Sequence, residues 1–72
     1  MKYNVLVHSY LDPWTYVKIR EEIFVKGRPR SFTGEGFARR RAEDKPNEQV
    51  GFELALIRAR ENVRRKKKEA AI

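Results

Sequence analysis

Two glycines and an alanine alternate along Phe32-Thr33-Gly34-Glu35-Gly36-Phe37-Ala38-Arg39, and a later segment, Gly51-Phe52-Glu53-Leu54-Ala55, is again rich in small residues. Residues two apart in a strand share a face, so Gly34, Gly36 and Ala38 make a strip with almost no side chain on it. Glycine weakens a strand interior, and two of them at i and i+2 need a reason; close approach of a helix supplies one. The pattern therefore predicts a helix whose small-residue start lies against a nearly bare strand.

The rest of the chain supplies the surrounding elements. Residues 2–9 carry β-branched and aromatic side chains and alternate at Tyr3, Val5 and Val7, as a first strand should, with Leu6 on the other parity. Leu11-Asp12-Pro13-Trp14 reads as a turn, because proline fixes φ and the Asp12 side chain is placed to bond backbone ahead of it. Residues 15–26 read as a long second strand, with Val17, Ile19, Ile23 and Val25 on one face and Lys18, Arg20, Glu22 and Lys26 on the other. Glu21 interrupts the apolar face, so a bulge or strand end is expected there. Lys26-Gly27-Arg28-Pro29 is the next turn, and the glycine strand occupies residues 30–39. Polar residues 40–46 lead into a helix with Asn47 or Asp44 as N-cap. Glu48 at its start and Arg64-Arg65-Lys66-Lys67-Lys68 at its end both suit the helix dipole, and the helix is predicted to run to Lys68.

Projected at about 100° per residue, this helix carries Val50, Leu54 and Ile57 on one side and Phe52, Ala55, Leu56, Ala59 and Val63 on the opposite side. One sheet covers one stripe. Two opposed stripes point to a second buried contact, for which a twin copy in a symmetric homodimer is the expected partner, with Phe52, Leu56, Ala59 and Val63 at the interface. The alternative is one broad stripe around a thick core, with the other apolar residues scattered over the surface.

At 72 residues the chain is one domain, of a size that buries only about 60% of its unfolded surface. It has no cysteine and one histidine, His8, which excludes disulfides and thiolate sites and leaves too few ligands for zinc; no metal or cofactor is expected. Stability must come from packing or self-association. No apolar run approaches the ~20 residues of a membrane span, and the first residues lack the apolar core and cleavage site of a signal peptide. A soluble, cytoplasmic protein with no membrane partner is the expectation. Nothing marks an enzyme: no serine sits in a nucleophile elbow, the acidic residues mostly neighbour Lys or Arg, and Gly34-Glu35-Gly36 lacks the rest of a dinucleotide or P-loop fingerprint.

Thr33-Gly34-Glu35-Gly36-Phe37-Ala38-Arg39, then Asp44-Lys45-Pro46, then Gln49 to Ala59 together resemble the signature of a small actinobacterial family of unknown function, described as dsRBD-fold-containing proteins. That pattern runs Gly-x-Gly-x-Ala-Arg, a short acidic connection, then Gly-x-Glu-Leu-Ala and Arg-Ala, and the likeness covers roughly residues 3–64. The resemblance implies an α+β fold, a three-stranded antiparallel sheet with one long C-terminal helix across one face (β-β-β-α). It implies no activity, since fold transfers and function does not. After Ala59 the chain departs from the pattern: Arg60 and the run 64–68 are strongly basic, which would suit a bacteriophage-encoded member that binds nucleic acid.

The 17 Lys and Arg against 10 Asp and Glu leave a net charge of +7, which attracts polyanions, above all nucleic acid. The bland reading is solubility, for which a net charge of ~2–8 suffices. Double-stranded-RNA-binding domains use an N-terminal helix, a loop between the first strands and a lysine cluster at the last helix start. Here the first strand begins at about residue 2, and Glu48 and Glu53 stand where lysines are wanted, so that mode is not expected. Two basic patches remain: Arg64, Arg65, Lys66, Lys67 and Lys68 in the tail, and Lys26, Arg28, Arg30, Arg39, Arg40 and Arg41 along the second hairpin and third strand. They would touch phosphates without base specificity. Tyr16, Phe24 and Phe37, interleaved with Lys18, Arg20 and Arg39, would stack single-stranded bases or pair across strands to hold the sheet; Tyr10 and Trp14 are expected to cover the core edge. The other functional class is a protein-interaction module, binding itself or a host or regulatory protein through the second apolar helix face.

Overall fold

The computed structural model describes residues 3–71; Lys2, which the alternation assigns to the first strand, lies outside them. Three strands, β1 (Tyr3–Leu11), β2 (Trp14–Val25) and β3 (Arg28–Arg39), precede one helix, α1 (Glu48–Glu69). The strands form an antiparallel sheet in the order β1-β2-β3, and α1 lies across β2 and β3. This is the α+β, β-β-β-α arrangement that the sequence predicts.

Both hairpins are tighter than predicted. Asp12 and Pro13 alone join β1 to β2, and Lys26 and Gly27 alone join β2 to β3. Lys26 and Gly27 have φ of 52° and 76°, the positive values at both central positions that a type I′ hairpin turn requires. Pro29 thereby falls inside β3. It shares the parity of Thr33, Glu35 and Phe37, whose backbone groups point to the free edge, so its missing N–H costs the ladder nothing.

Asn47 caps α1, its Oδ1 accepting from Val50 N at 3.2 Å. The helix then packs closely on the bare strip, as the small residues predict. A Cβ on Gly36 would strike the Ala55 carbonyl and lie 2.5 Å from Ala59 N; one on Gly34 would strike the Ala59 carbonyl and lie 2.6 Å from Val63 Cγ2. The pairing 36 with 55/59 and 34 with 59/63 works because four helical residues advance about 6 Å, close to the ~6.6 Å of two strand residues.

The core is correspondingly small: Val17, Ile19, Ala38, Ala55, Ala59 and Val63, flanked by Tyr3, Phe32, Phe52 and Leu56. Glu21 corrects the expectation of a break in β2. The strand continues through it, pairing with Tyr3 and Phe32 on either side, and its side chain is buried against the helix end, where Lys67 donates to its Oε1. The bulge falls instead in β1, between Val5 and Val7, with Leu6 outside the register. It moves Val7 to the face away from α1 and leaves Tyr3, Val5, His8 and Tyr10 on the helix side.

Candidate nucleic-acid interface

Polar side chains on α1 close the outer edge of β3. Arg58 Nη1 donates to Phe37 O at 2.6 Å, Glu35 N donates to Asn62 Oδ1 at 3.0 Å, and Lys66 Nζ donates to Thr33 O at 2.7 Å. Positions 58, 62 and 66 step along the helix as 37, 35 and 33 step back along the strand, so α1 runs antiparallel to β3. This direction decides which basic residues gather.

The carboxyl end of α1 points toward the β2–β3 hairpin. Arg64, Arg65 and Lys68 therefore share one end of the molecule with Arg28 and Arg30, all exposed. None of these five has an acidic partner among the described residues; Arg30 rests over the Phe32 ring at 5.5 Å. Arg39, Arg40 and Arg41 lie at the opposite end, about 36 Å from Arg28 along eleven extended residues. The patch expected to join Arg28 and Arg30 to Arg39–Arg41 is thus split, and its first half belongs with the tail.

Three expected phosphate ligands have other work. Lys67, with its side chain 18% exposed, neutralises Glu21, whose side chain is 3% exposed. Lys66 is committed to the Thr33 carbonyl. Arg40 grips Asp12 through Nε at 2.7 Å and Nη2 at 2.8 Å, and its Nη1 also donates to Arg41 O and Asp44 O. It fastens the connection 40–47 to the first hairpin. Asp12 therefore bonds Arg40 rather than backbone ahead of it, and this bidentate hydrogen bond holds its carboxyl below the ordinary aspartate range.

The expected partner face is also corrected. Ala59 and Val63 have no exposed surface, and Phe52 and Leu56 pack against the same core; the stripe meets the chain's own sheet because only there are Gly34 and Gly36 bare enough to admit it. The outward stripe is Val50, Leu54 and Ile57, exposed at 57%, 38% and 54%. His8 packs its ring on Phe52 at 4.6 Å.

The sheet face away from α1 has no covering element among the described residues. The register sets Leu11, Trp14 and Arg39 in one row and Ser9, Tyr16 and Phe37 in the next, followed by Val7, Lys18 and Glu35. Tyr16 and Phe37 meet with ring centroids 4.9 Å apart, and the Arg39 guanidinium lies over Trp14 at 5.6 Å. Trp14 is half exposed in this cluster rather than covering the core edge. The signal in the sequence is its parity: Thr15, next to it, is buried under the helix, so Trp14 must face the other way.

A cleft of about 340 Å³ opens at the amino end of α1, among Tyr10, Thr15, Arg40, Lys45, Val50 and Leu54. No described helix is long and apolar enough to cross a membrane. No protein-family model, curated protein or solved structure matches the chain.

Proposed function

We propose that this protein binds nucleic acid through its phosphates, without base specificity, using Arg28, Arg30, Arg64, Arg65 and Lys68. What supports this reading is the gathering of these exposed, unneutralised cations at one end of a chain with net charge +7. Such a cluster releases counterions when it meets a polyanion. The resemblance to the actinobacterial family carries a fold and no activity, so charge and geometry bear the reading alone.

Fluorescence anisotropy with a labelled 20-base-pair duplex at ~50 mM salt tests it. Each neutralised phosphate contributes about 0.9 to the log–log salt slope on B-DNA, so removing Arg64 and Arg65 together should flatten that slope by about 1.8. Absence of binding at ~50 mM salt to duplex and single strand alike would sink the reading.

A second reading is a protein partner, or a second copy, seated on Val50, Leu54 and Ile57. Their outward exposure supports it, and Leu54→Lys should then abolish any self-association seen by light scattering.

A further inference from the structure

We infer that the free face of the sheet is a stacking platform for unpaired bases, so that the preferred ligand is a single strand rather than a duplex. The inference rests on the phosphate-binding reading above. It is carried by Trp14, Tyr16 and Phe37, which the register of β1, β2 and β3 sets side by side on the face away from α1.

A sheet in a domain of this size needs one apolar face, and here α1 covers that face. The opposite face nonetheless presents Leu11, Trp14 and Phe37 at 77%, 50% and 51% exposure. Removing large apolar surface from water is the main gain available to any ligand that sits there. Flat rings on a pleated surface offer π-faces to bases, and every base has one, so such a platform is tolerant of sequence. Duplex bases are already stacked on each other and cannot reach it. Unpaired bases are the form of nucleic acid that aromatic side chains on an open sheet accept.

The charges on this face suit a polyanion better than a twin. Arg39 lies over Trp14, Lys18 follows Tyr16 on the same face, and Arg20 follows Lys18. The acidic neighbours are Glu35, opposite Lys18, and Glu22, 3.5 Å from Arg20. Cations are therefore in excess here, and two chains of net charge +7 repel one another while a phosphate backbone is drawn in. Arg40 and Arg41, next in sequence to Arg39, lie at the same end of the sheet as the rings, whereas Arg28 and Arg30 share the helix-side parity of Gly34 and Gly36; the platform and that basic cluster are separate contacts.

Trp14 is the sole tryptophan, so its emission reports directly on the platform. An unlabelled 15-mer of deoxythymidine and a duplex of equal length are titrated at ~50 mM salt against the intact chain, Phe37→Ala and Phe37→Tyr. The expected result is that the single strand quenches Trp14 and the duplex does not. Phe37→Ala should weaken single-strand binding about tenfold, in the range measured for loss of one stacked base, and leave duplex binding unchanged, while Phe37→Tyr keeps both. Phe37 is half exposed, and circular dichroism checks that each variant folds. Single-strand binding with steady Trp14 emission and an unaffected Phe37→Ala overturns the platform and leaves the phosphate reading intact. Failure of both nucleic acids to bind overturns both readings. Trp14 emission that follows protein concentration, with Phe37→Ala dissociating a dimer, overturns the platform by giving the face to a second copy.

Discussion

Replacing Gly36 by alanine adds one methyl group and should cost more than any other single-methyl change in the chain. The new Cβ would meet the Ala55 carbonyl and lie 2.5 Å from Ala59 N. Both obstacles are helix backbone, so no side chain can turn aside. Carbon–heavy-atom contacts are comfortable at about 3.5 Å, so α1 must lift by about 1 Å, a gap that forfeits a quarter to a half of each dispersion contact across the seam. The seam is the whole core: Val17, Ile19 and Ala38 on one side, Ala55, Ala59 and Val63 on the other. Overpacking of this kind costs about 1–3 kcal/mol, against which alanine recovers about 0.5–1 kcal/mol of glycine's entropy in a strand. Taken at the top of that range, because both obstacles are helix backbone, the overpacking leaves a net loss of about 2 kcal/mol, and at 4–8 °C per kcal/mol for a domain of this size the melting temperature should fall by about 8–16 °C. Gly34→Ala should follow closely, since one of its obstacles is the Val63 side chain rather than backbone alone. Gly51→Ala is the control. Its Cβ meets only the Thr15 side chain, and alanine gains about 1 kcal/mol in a helix interior, so it should lie within about 1 kcal/mol of the parent. Far-UV circular dichroism melts of the three variants decide the matter. If Gly36→Ala melts within about 2 °C of the parent, or if Gly51→Ala falls further, the close seam is not what holds this fold together.

Lys67→Met leaves Glu21 buried without its partner and should cost about 3 kcal/mol in urea unfolding, whereas the double change Glu21→Leu with Lys67→Met should return to near the parent; a harmless Lys67→Met would refute the pairing. Asn62→Ala should lower stability by only about 0.5–1 kcal/mol, because the edge it serves is exposed, yet it should speed hydrogen exchange at the Glu35 amide, and an unchanged rate there would show that the edge contact does not form. Asp12 titrates below its unfolded value of about 3.9 because Arg40 bonds its charged form, so its contribution is present at neutral pH and fades as pH falls through the folded pKa. The stability gap between the parent and Asp12→Asn should accordingly narrow as pH falls below about 4, and a gap that stays constant on acidification would contradict the assignment.

The order of elements and the site of helix packing were legible because they follow from periodicity and from the size of side chains. Gly34, Gly36 and Ala38 name their own partner: nothing but a closely approaching backbone fills so bare a strip. What stayed hidden depends on contacts between residues far apart in sequence. Glu21 looks like a break in β2 until Lys67, 46 residues later, is found beside it. Leu6 gives no sign that it will drop out of register. The helix shows two apolar stripes, and only the small residues facing Gly34 and Gly36 choose between them; assigning Ala59 and Val63 to a partner ignored that an alanine fits a glycine strip better than any exposed surface. Of the basic residues, charge alone could not separate Arg40 and Lys67, which serve acids within the chain, from Arg64 and Lys68, which do not.

The same seam also decides where a partner can reach this protein. Because α1 sits so low on β3, side chains as different as Arg58, Asn62 and Lys66 all reach the edge carbonyls and amide of that strand. An edge strand with unpaired backbone groups invites pairing with another chain, and here helix side chains occupy three of those groups between Thr33 and Phe37. A methyl at Gly36 that lifts the helix by about 1 Å would stretch all three of those contacts together, so Gly36→Ala should open the β3 edge as well as loosen the core. On the other side of the sheet, β1 is edged by a bulge at Leu6, which bends an edge away from regular pairing. With both edges obstructed over part of their length, strand addition is a disfavoured mode of binding. The large surfaces left are the aromatic sheet face and the outward face of α1, and on the second of these the apolar Val50, Leu54 and Ile57 give way to Arg64, Arg65 and Lys68 along one helix.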